Sequence, residues 1–303
     1  MFFKLRTKSN ELLILEVLNN RMNLADKDKQ YYLNLIKGYE GERAFDYLLE
    51  KIQCDCMVLN DLLLKINNTT FQIDSLLITS DTIYLFEIKN YDGDYYYESD
   101  KLYKKPKTEI INPLHQISRT EALFRQLLLN LGFTLEINTS VVFINPEFTL
   151  YQAPLNKPII LPTQVNRYLN KISNIHSKLT KKHALLAEKL VLLHMNGSAF
   201  TQVPRYDYTS LQKGIICLEC HSFLICVQGK KCSCKECGYT ELTETAVLRS
   251  INEFKLLFPN ARITTNGVHE WCQVVSSKKR IRGILNLNFK LVVKNRWSYY
   301  EEI

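Results

Sequence analysis

The chain has 303 residues with 39 Lys and Arg against 31 Asp and Glu, so its formal net charge at pH 7 is +8. Hydrophobic residues make up 46% and charged residues 23%, a globular composition that excludes a disordered or fibrous chain. Because no apolar run approaches the roughly 20 residues of a membrane span, and the first residues do not resemble a secretory signal, we expect a soluble cytoplasmic protein that does not bind membranes.

The first part of the chain is predicted to be helical. Residues 1–37 form an N-terminal helical segment in this interpretation. Gly38 and Gly41 are expected to interrupt it, before an amphipathic helix over residues 42–52.

Short runs rich in leucine, β-branched and aromatic residues follow. Residues 57–66, 71–79 and 82–90 are predicted to form a three-stranded meander, with a further tight hairpin at Asp92-Gly93. Asn112 and Pro113 are typical of an N-cap and a first helical position, and that helix is expected to end at Gly132. A strand over residues 137–145 completes a compact α/β (α+β) unit with a mixed sheet, which spans residues 38–146.

The rest of the chain divides into three predicted regions. Residues 147–210 are a helical connection, which includes a helical stretch over 162–196. Residues 211–242 contain most of the cysteines. Residues 245–303 are predicted to form three helices and a terminal hairpin.

The most informative pattern is a pair of acids on two neighbouring strands. If Ser80-Asp81 is the hairpin loop, Asp74 lies opposite Glu87, and Lys89 lies on the same face of the sheet. Facing side chains have Cβ atoms about 4.5–5.5 Å apart, so the two carboxylates must share a proton or hold a cation. Mg²⁺ bound there would coordinate phosphate oxygens, while Lys89 orients an attacking hydroxide, which is chemistry suited to phosphodiester hydrolysis.

Two alternatives remain for this hairpin. A loop one residue longer or shorter moves Glu87 to the opposite face. The acids could also lie on an exposed face, with Lys89 in a weak surface ion pair. Leu76 and Leu85 share the face of the acids and favour its burial, where acids need partners.

An ordered set of motifs resembles the nuclease-related domain (NERD) family. The motifs are Gly38-x-x-Gly41-Glu42, Gln72-Ile73-Asp74, Phe86-Glu87-Ile88-Lys89-Asn90 with Gly93, and Asn112-Pro113-x-x-Gln116. They extend over roughly residues 36–145. No single motif is specific for the family, but the order and spacing of the four motifs together are specific for it.

The resemblance implies a restriction-endonuclease-like core of the PD-(D/E)xK superfamily, with Mg²⁺- or Mn²⁺-dependent cleavage of nucleic acid. It assigns Asp74 and Glu87 as metal ligands and Lys89 as the catalytic lysine. It also implies an additional helix acid at Glu42 and a polar residue above the sheet at Gln116. Glu42 could instead favour its helix N-terminus through the helix dipole, and Gln116 could simply face solvent.

The cysteines indicate a metal site. Cys217, Cys220, Cys234 and Cys237 have the spacing C-x₂-C-x₁₃-C-x₂-C, and four thiolates at this spacing select a structural Zn²⁺. Cys226 and Cys232 are spare; Cys232 could replace Cys234, or His221 could serve as a ligand. A redox disulfide is the main competing interpretation. The predicted zinc ribbon is a nucleic-acid-binding or partner-binding module, or a staple between domains.

The last third of the chain is basic and is similar to a winged helix. Residues 204–303 carry 15 Lys and Arg against 9 Asp and Glu, which favours a polyanionic partner, although solubility alone also explains it. The order helix, helix, hairpin is that of a winged helix-turn-helix. In such a module basic side chains contact the phosphates of nucleic acid. The candidate nucleic-acid-binding residues are Lys278, Lys279, Arg280, Arg282, Lys294 and Arg296. A solvated basic helix is the alternative.

These features converge on a metal-dependent nuclease that acts on nucleic acid, with DNA the favoured substrate. Two alternatives are a non-catalytic nucleic-acid-binding or regulatory protein on a degenerate nuclease scaffold, and a zinc-stapled protein–protein adaptor. Because Asp74, Glu87 and Lys89 are all present, the enzyme is favoured.

Overall fold

The structure is a computed structural model that describes residues 2–195, 197, 202–294 and 297–303. The chain divides into two compact units. The first unit comprises Met1–Ser9 and Leu33–Thr201, and the second comprises Asn10–Tyr32 and Gln202–Ile303.

The first unit contains a six-stranded sheet, which is mixed as the sequence predicts. Its two edge strands correct the sequence prediction, because residues 2–4 and 159–160 were expected to lie in helical segments. Its strands are β1 (Phe2–Lys4), β2 (Met57–Ile66), β3 (Thr69–Ile78), β4 (Thr82–Lys89), β8 (Glu136–Phe143) and β10 (Ile159–Ile160), in the order β1-β2-β3-β4-β8-β10. The pairs β2–β3 and β3–β4 are antiparallel and form the expected meander, whereas β1–β2, β4–β8 and β8–β10 are parallel.

Helices cover both faces of this sheet, which makes the first unit an α/β fold. Helices α3 (Pro113–Asn130) and α5 (Lys181–Leu193) pack on one face, where Phe124 and Leu186 are fully buried. Helices α2 (Asp26–Leu49) and α4 (Pro162–Ser173) pack on the other, around Phe45. The predicted helical stretch over 162–196 is thus two helices with a break between them.

The N-terminus of α3 is capped as expected. The Asn112 side chain accepts a hydrogen bond of 3.0 Å from the Leu114 amide, with Pro113 at the first helical position. The chain after α3 turns at Gly132, whose φ of +81° belongs to the left-handed region that glycine tolerates. Asn112 and Gly132 therefore fix where this helix begins and ends.

The hairpin expected at Asp92-Gly93 is wrong. The chain leaves the main sheet there and enters a second, four-stranded sheet composed of β5 (Gly93–Glu98), β6 (Lys101–Lys104), β7 (Thr108–Ile110) and β9 (Phe148–Tyr151), in the order β7-β6-β5-β9. Gly93 pairs with Phe148 in a parallel ladder, so the Asp-Gly turn connects two sheets and not two neighbouring strands.

The interruption expected at Gly38 and Gly41 is also wrong, because α2 continues through both positions. A helical glycine costs only about 1 kcal/mol relative to alanine. Burial of the Phe45 and Leu49 side chains against the sheet offsets that cost.

The second unit contains α1 (Asn10–Arg21), a three-stranded sheet, three further helices and a hairpin. These elements are β11 (Ile225–Gln228), β12 (Lys231–Cys234), β13 (Thr240–Leu242), α6 (Thr243–Leu257), α7 (Thr265–Cys272), α8 (Lys278–Asn288), β14 (Lys290–Lys294) and β15 (Trp297–Glu301). Three helices followed by a hairpin are the order that the sequence predicts for residues 245–303.

The core of the second unit is built around Trp271, which is fully buried. The Arg21 guanidinium lies 4.1 Å from its ring centroid and donates a hydrogen bond of 2.5 Å to Glu253. This pairing compensates the burial of the arginine. Among the helices in the described part of the chain, none combines the length and apolar character of a membrane span.

Candidate active site

The hairpin of β3 and β4 has the register that the sequence predicts. Four pairs form its ladder, from Ile78–Ile83 next to the Ser80-Asp81 loop to Ser75–Phe86 at the far end. Asp74 and Glu87 are the next residues beyond the last pair. The register therefore brings the two acids to the same end of the hairpin, and the alternative loop lengths are excluded.

Both acids are buried. Asp74 is 8% exposed and Glu87 is 3% exposed. The Asp74 Oδ2 atom accepts a hydrogen bond of 2.8 Å from the Ile88 amide, so this side chain continues the contact between the strands where the ladder ends. An exposed acidic surface is thereby excluded.

Lys89 completes the group. Its Nζ atom forms an ion pair of 2.6 Å with Glu87 Oε1. The same ammonium donates a hydrogen bond of 3.3 Å to Gln116 Oε1 on α3. The structure thus brings Gln116 to Lys89, although the glutamine itself is exposed.

Electrostatics at this hairpin favour a cation. Burial raises the pKa of Glu87 to about 7; the neighbouring Asp74 charge adds to this increase and Lys89 opposes it. Burial also raises the pKa of Asp74, against the effects of Lys89 and the Ile88 amide. Two acids that disfavour each other's ionised form are stabilised when a cation lies between them.

The donor set fits a hard divalent cation. Carboxylate oxygens are the ligands that Mg²⁺ and Mn²⁺ prefer. Glu87 Oε1 is buried and already faces one cation, the Lys89 ammonium at 2.6 Å. Asp74 and Glu87 are the side chains that could hold the ion.

Glu42 lies on α2, where the charge of Asp74 acts on it, but the carboxylate oxygens of Glu42, Asp74 and Glu87 do not all lie within 4.8 Å of one another. The pKa of Glu42 is raised to about 8, chiefly by burial and also by the Asp74 charge, while Arg6 acts in the opposite direction. Its Oε2 atom lies 2.6 Å from Arg6 Nη1. Glu42 therefore pairs with a buried cation. The helix-dipole alternative is wrong, because Glu42 lies in the middle of α2 and not in its first turn.

Sequence reasoning missed Arg6. This residue follows β1, and its side chain is 3% exposed. It donates to both carboxylate oxygens of Asp46, at 2.8 and 3.1 Å, and its Nη2 atom donates to the main-chain oxygen of Asp74 at 2.7 Å. No motif marks it, because its partners lie 36 to 68 residues further along the chain.

Sequence reasoning also missed Asp61. The ladder of β2 and β3 skips this residue, which lies across from Asp74 and has a φ of +52°. Lys4 Nζ donates to the main-chain oxygens of Asn60 and Asp61, both at 2.8 Å. A left-handed aspartate inside a strand is uncommon and is typical of functional regions. Strand alternation gives no signal for it.

In the second unit, the four predicted zinc ligands meet. The Sγ atoms of Cys217, Cys220, Cys234 and Cys237 all lie within 4.8 Å of one another. The pairs Cys217–Cys237 and Cys220–Cys234 are each 3.6 Å apart. Tetrahedral Zn–S bonds of about 2.3 Å place sulfurs about 3.8 Å apart, so the cluster fits a metal ion.

The two halves of this cluster have the same backbone form. His221 and Gly238, which follow the two C-x₂-C pairs, have φ values of +57° and +75°, and their amides donate to the main-chain oxygens of Cys217 and Cys234. Cys232 instead lies in the hydrophobic core, so it does not replace Cys234.

Basic residues line a groove in the second unit. Lys278, Lys279 and Arg282 at the start of α8 face the first turn of α7 and Ser298 across an open groove of about 610 Å³. Arg280 does not line this groove, and Lys294 is exposed at the end of β14. The expectation for Arg296 lies outside the described residues.

Comparison with known proteins identifies part of the chain. Residues 37–144 match the family model of the nuclease-related domain. No curated protein and no solved structure matches the chain. The matched stretch contains Glu42, Asp74, Glu87, Lys89 and Gln116, and it leaves out Arg6 and the cysteine cluster. Residues 37–144, about a third of the chain, are therefore a nuclease-related domain.

Proposed function

We propose that the first unit is a metal-dependent nuclease that hydrolyses phosphodiester bonds of nucleic acid, with DNA as its substrate. The observation that carries this proposal is the buried pair Asp74 and Glu87 with the Lys89 ammonium 2.6 Å from Glu87. A nuclease-related domain at residues 37–144 supports a nucleic-acid substrate.

Each residue has a distinct role in this proposal. Asp74 and Glu87 hold Mg²⁺ or Mn²⁺, and Glu42 is the additional acid at the metal site. When bound, the metal polarises the phosphate and lowers the pKa of bound water. Lys89 orients the attacking hydroxide and stabilises the charge that develops on the phosphate. Gln116 holds the Lys89 ammonium in place through its hydrogen bond.

The test is cleavage of plasmid and linear DNA with Mg²⁺, with Mn²⁺ or with EDTA. We expect cleavage with metal only, and its loss in Asp74→Asn, Glu87→Gln and Lys89→Ala. Asp81→Asn is the matched control, because Asp81 lies exposed in the loop of the same hairpin. Equal cleavage by the Asp74→Asn variant would contradict the proposal. A parallel reaction with RNA distinguishes the two substrates.

The basic groove favours one second candidate, a nucleic-acid-binding protein without catalysis. Lys278, Lys279 and Arg282 converge on one groove and could contact a phosphate backbone. Under this candidate the wild-type protein binds DNA and shows no metal-dependent cleavage. We favour the nuclease because Asp74, Glu87 and Lys89 are all present and adjacent.

A further inference from the structure

The segment that follows β1 reaches the acid site from outside the matched domain. Lys4 and Arg6 are two residues apart in an extended segment. Lys4 binds main-chain oxygens of β2, and Arg6 binds the main-chain oxygen of Asp74 in β3. Both side chains therefore hold strand positions next to the site.

Arg6 makes the more specific contacts. Its guanidinium binds Asp46 through two nitrogens, Glu42 through a third contact of 2.6 Å, and the Asp74 main chain at 2.7 Å. The planar guanidinium of Arg6 thus connects two acids of α2 to Asp74 of β3, whose side chain is a proposed metal ligand. Lysine cannot make this planar set of contacts.

The charges around Arg6 explain why these contacts need a cation. Asp46 balances the Arg6 charge, and Glu42 lies on the other side of the guanidinium. Without Arg6, the partly buried Glu42 would lose the ion pair that holds it between Asp46 and the main-chain oxygen of Asp74. Glu42 would then lose the contact that orients its carboxyl group.

The geometry points to Arg6 as a positioning residue that holds Glu42 and the Asp74 main chain in place beside the proposed metal site. This inference rests on the proposed function. It assigns residues 2–6, which lie outside the nuclease-related match, to the construction of the metal site. Arg6 itself does not touch the metal or the substrate.

The experiment measures Mn²⁺ binding to the full chain by the EPR signal of free Mn²⁺, well below each variant's melting temperature. We expect Arg6→Met to weaken Mn²⁺ binding roughly 10- to 100-fold, as loss of an outer-shell partner typically does. Arg6→Lys should fall between Arg6→Met and wild type. Arg43→Ala, an exposed arginine on α2, is the matched control and should bind as wild type does.

A purely structural role predicts a different pattern. Arg6→Met would then lower the melting temperature and leave the Mn²⁺ dissociation constant unchanged, which overturns the inference. If Arg6→Met does not fold, the Arg6→Lys variant tests the inference instead. A Mn²⁺ dissociation constant equal to that of wild type in Arg6→Lys also overturns the inference. Wild-type protein that binds no more Mn²⁺ than Glu87→Gln does would remove the proposed function itself.

Discussion

Gly41 packs directly against Asn90. A Cβ atom on Gly41 would lie 2.4 Å from the Asn90 Cβ atom, which is closer than real Cβ atoms approach. The Asn90 side chain also donates a hydrogen bond of 2.7 Å to the Lys37 main-chain oxygen. This contact holds α2, which carries Glu42, against the end of β4, which carries Lys89. It explains why glycine and asparagine both occur in the motifs.

Two glycine substitutions in α2 should have opposite effects. Gly41→Ala should destabilise the protein by about 1–3 kcal/mol, the usual cost of overpacking. Gly38→Ala should stabilise it by up to about 1 kcal/mol through helix propensity, because nothing lies within 4 Å of a Cβ there. Denaturant unfolding of both variants checks this. Equal effects would mean that the contact with Asn90 is not tight.

Gln116→Ala should slow cleavage about tenfold or less and leave Mn²⁺ binding unchanged. Its 3.3 Å contact with Lys89 is long for a hydrogen bond to a charged group, so only part of the usual 1.5–3 kcal/mol is at stake. Single-turnover rates measure the effect, and Gln126→Ala on the exposed face of α3 is the control. A rate equal to that of the control would remove Gln116 from the site.

The cysteine cluster should bind one zinc ion per chain. Cys217→Ser should release it and unfold the small sheet of β11–β13, because these short strands have little core of their own. Cys226→Ser should keep the metal, since Cys226 lies outside the cluster. Elemental analysis of purified protein gives the stoichiometry. Metal retained in Cys217→Ser, or a disulfide found by mass spectrometry, would contradict the metal assignment.

The basic groove should contribute phosphate contacts to DNA binding. We expect Lys278→Ala/Lys279→Ala/Arg282→Ala to weaken binding and to reduce the slope of log K against log salt by up to about 3, since each phosphate contact contributes about 0.9. Fluorescence anisotropy over a salt series measures it.

A control with the same change in net charge is Lys178→Ala/Lys181→Ala/Lys182→Ala, at exposed positions of the first unit. An unchanged slope in the groove variant, or an equal change in both variants, would reject a specific role for the groove.

Acidification should weaken the contact between His194 and Leu63 of β2. Its Nδ1 atom accepts a hydrogen bond of 3.1 Å from the Leu63 amide, which a protonated ring cannot do. Burial, with Lys4 nearby, lowers the pKa of His194 in the folded state. The neutral His194 ring therefore contributes to the stability of the folded state above the usual histidine pKa of about 6.5. This contribution is lost as the pH falls below that value.

The hydrogen-exchange protection factor of the Leu63 amide should accordingly fall between pH 7 and pH 5. His194→Asn should weaken that pH dependence, and His176→Asn, at an exposed histidine, should keep it. A protection factor that does not change with pH would contradict the assignment of the accepting ring.

Local signals allowed much of the fold to be predicted. Strand alternation and a two-residue loop were sufficient for the Asp74–Glu87 register, and Asn112 and Gly132 marked the ends of α3. The connection after Asp92 could not be predicted, because the parallel pairing of Gly93 with Phe148 joins residues 55 apart. Arg6 was missed for the same reason, since its partners are distant in sequence and its own neighbours carry no pattern.

The division of the chain has a practical consequence for expression and truncation. The polypeptide passes between the two units after Ser9, after Tyr32 and after Thr201, so neither unit is encoded by one continuous stretch. Deleting residues 1–32 removes the Arg6 contacts from one unit and the buried Leu18 of α1 from the core of the other. A fragment of residues 37–144 therefore lacks Arg6, whereas a fragment that joins residues 1–9 to residues 33–201 contains every segment of the first unit.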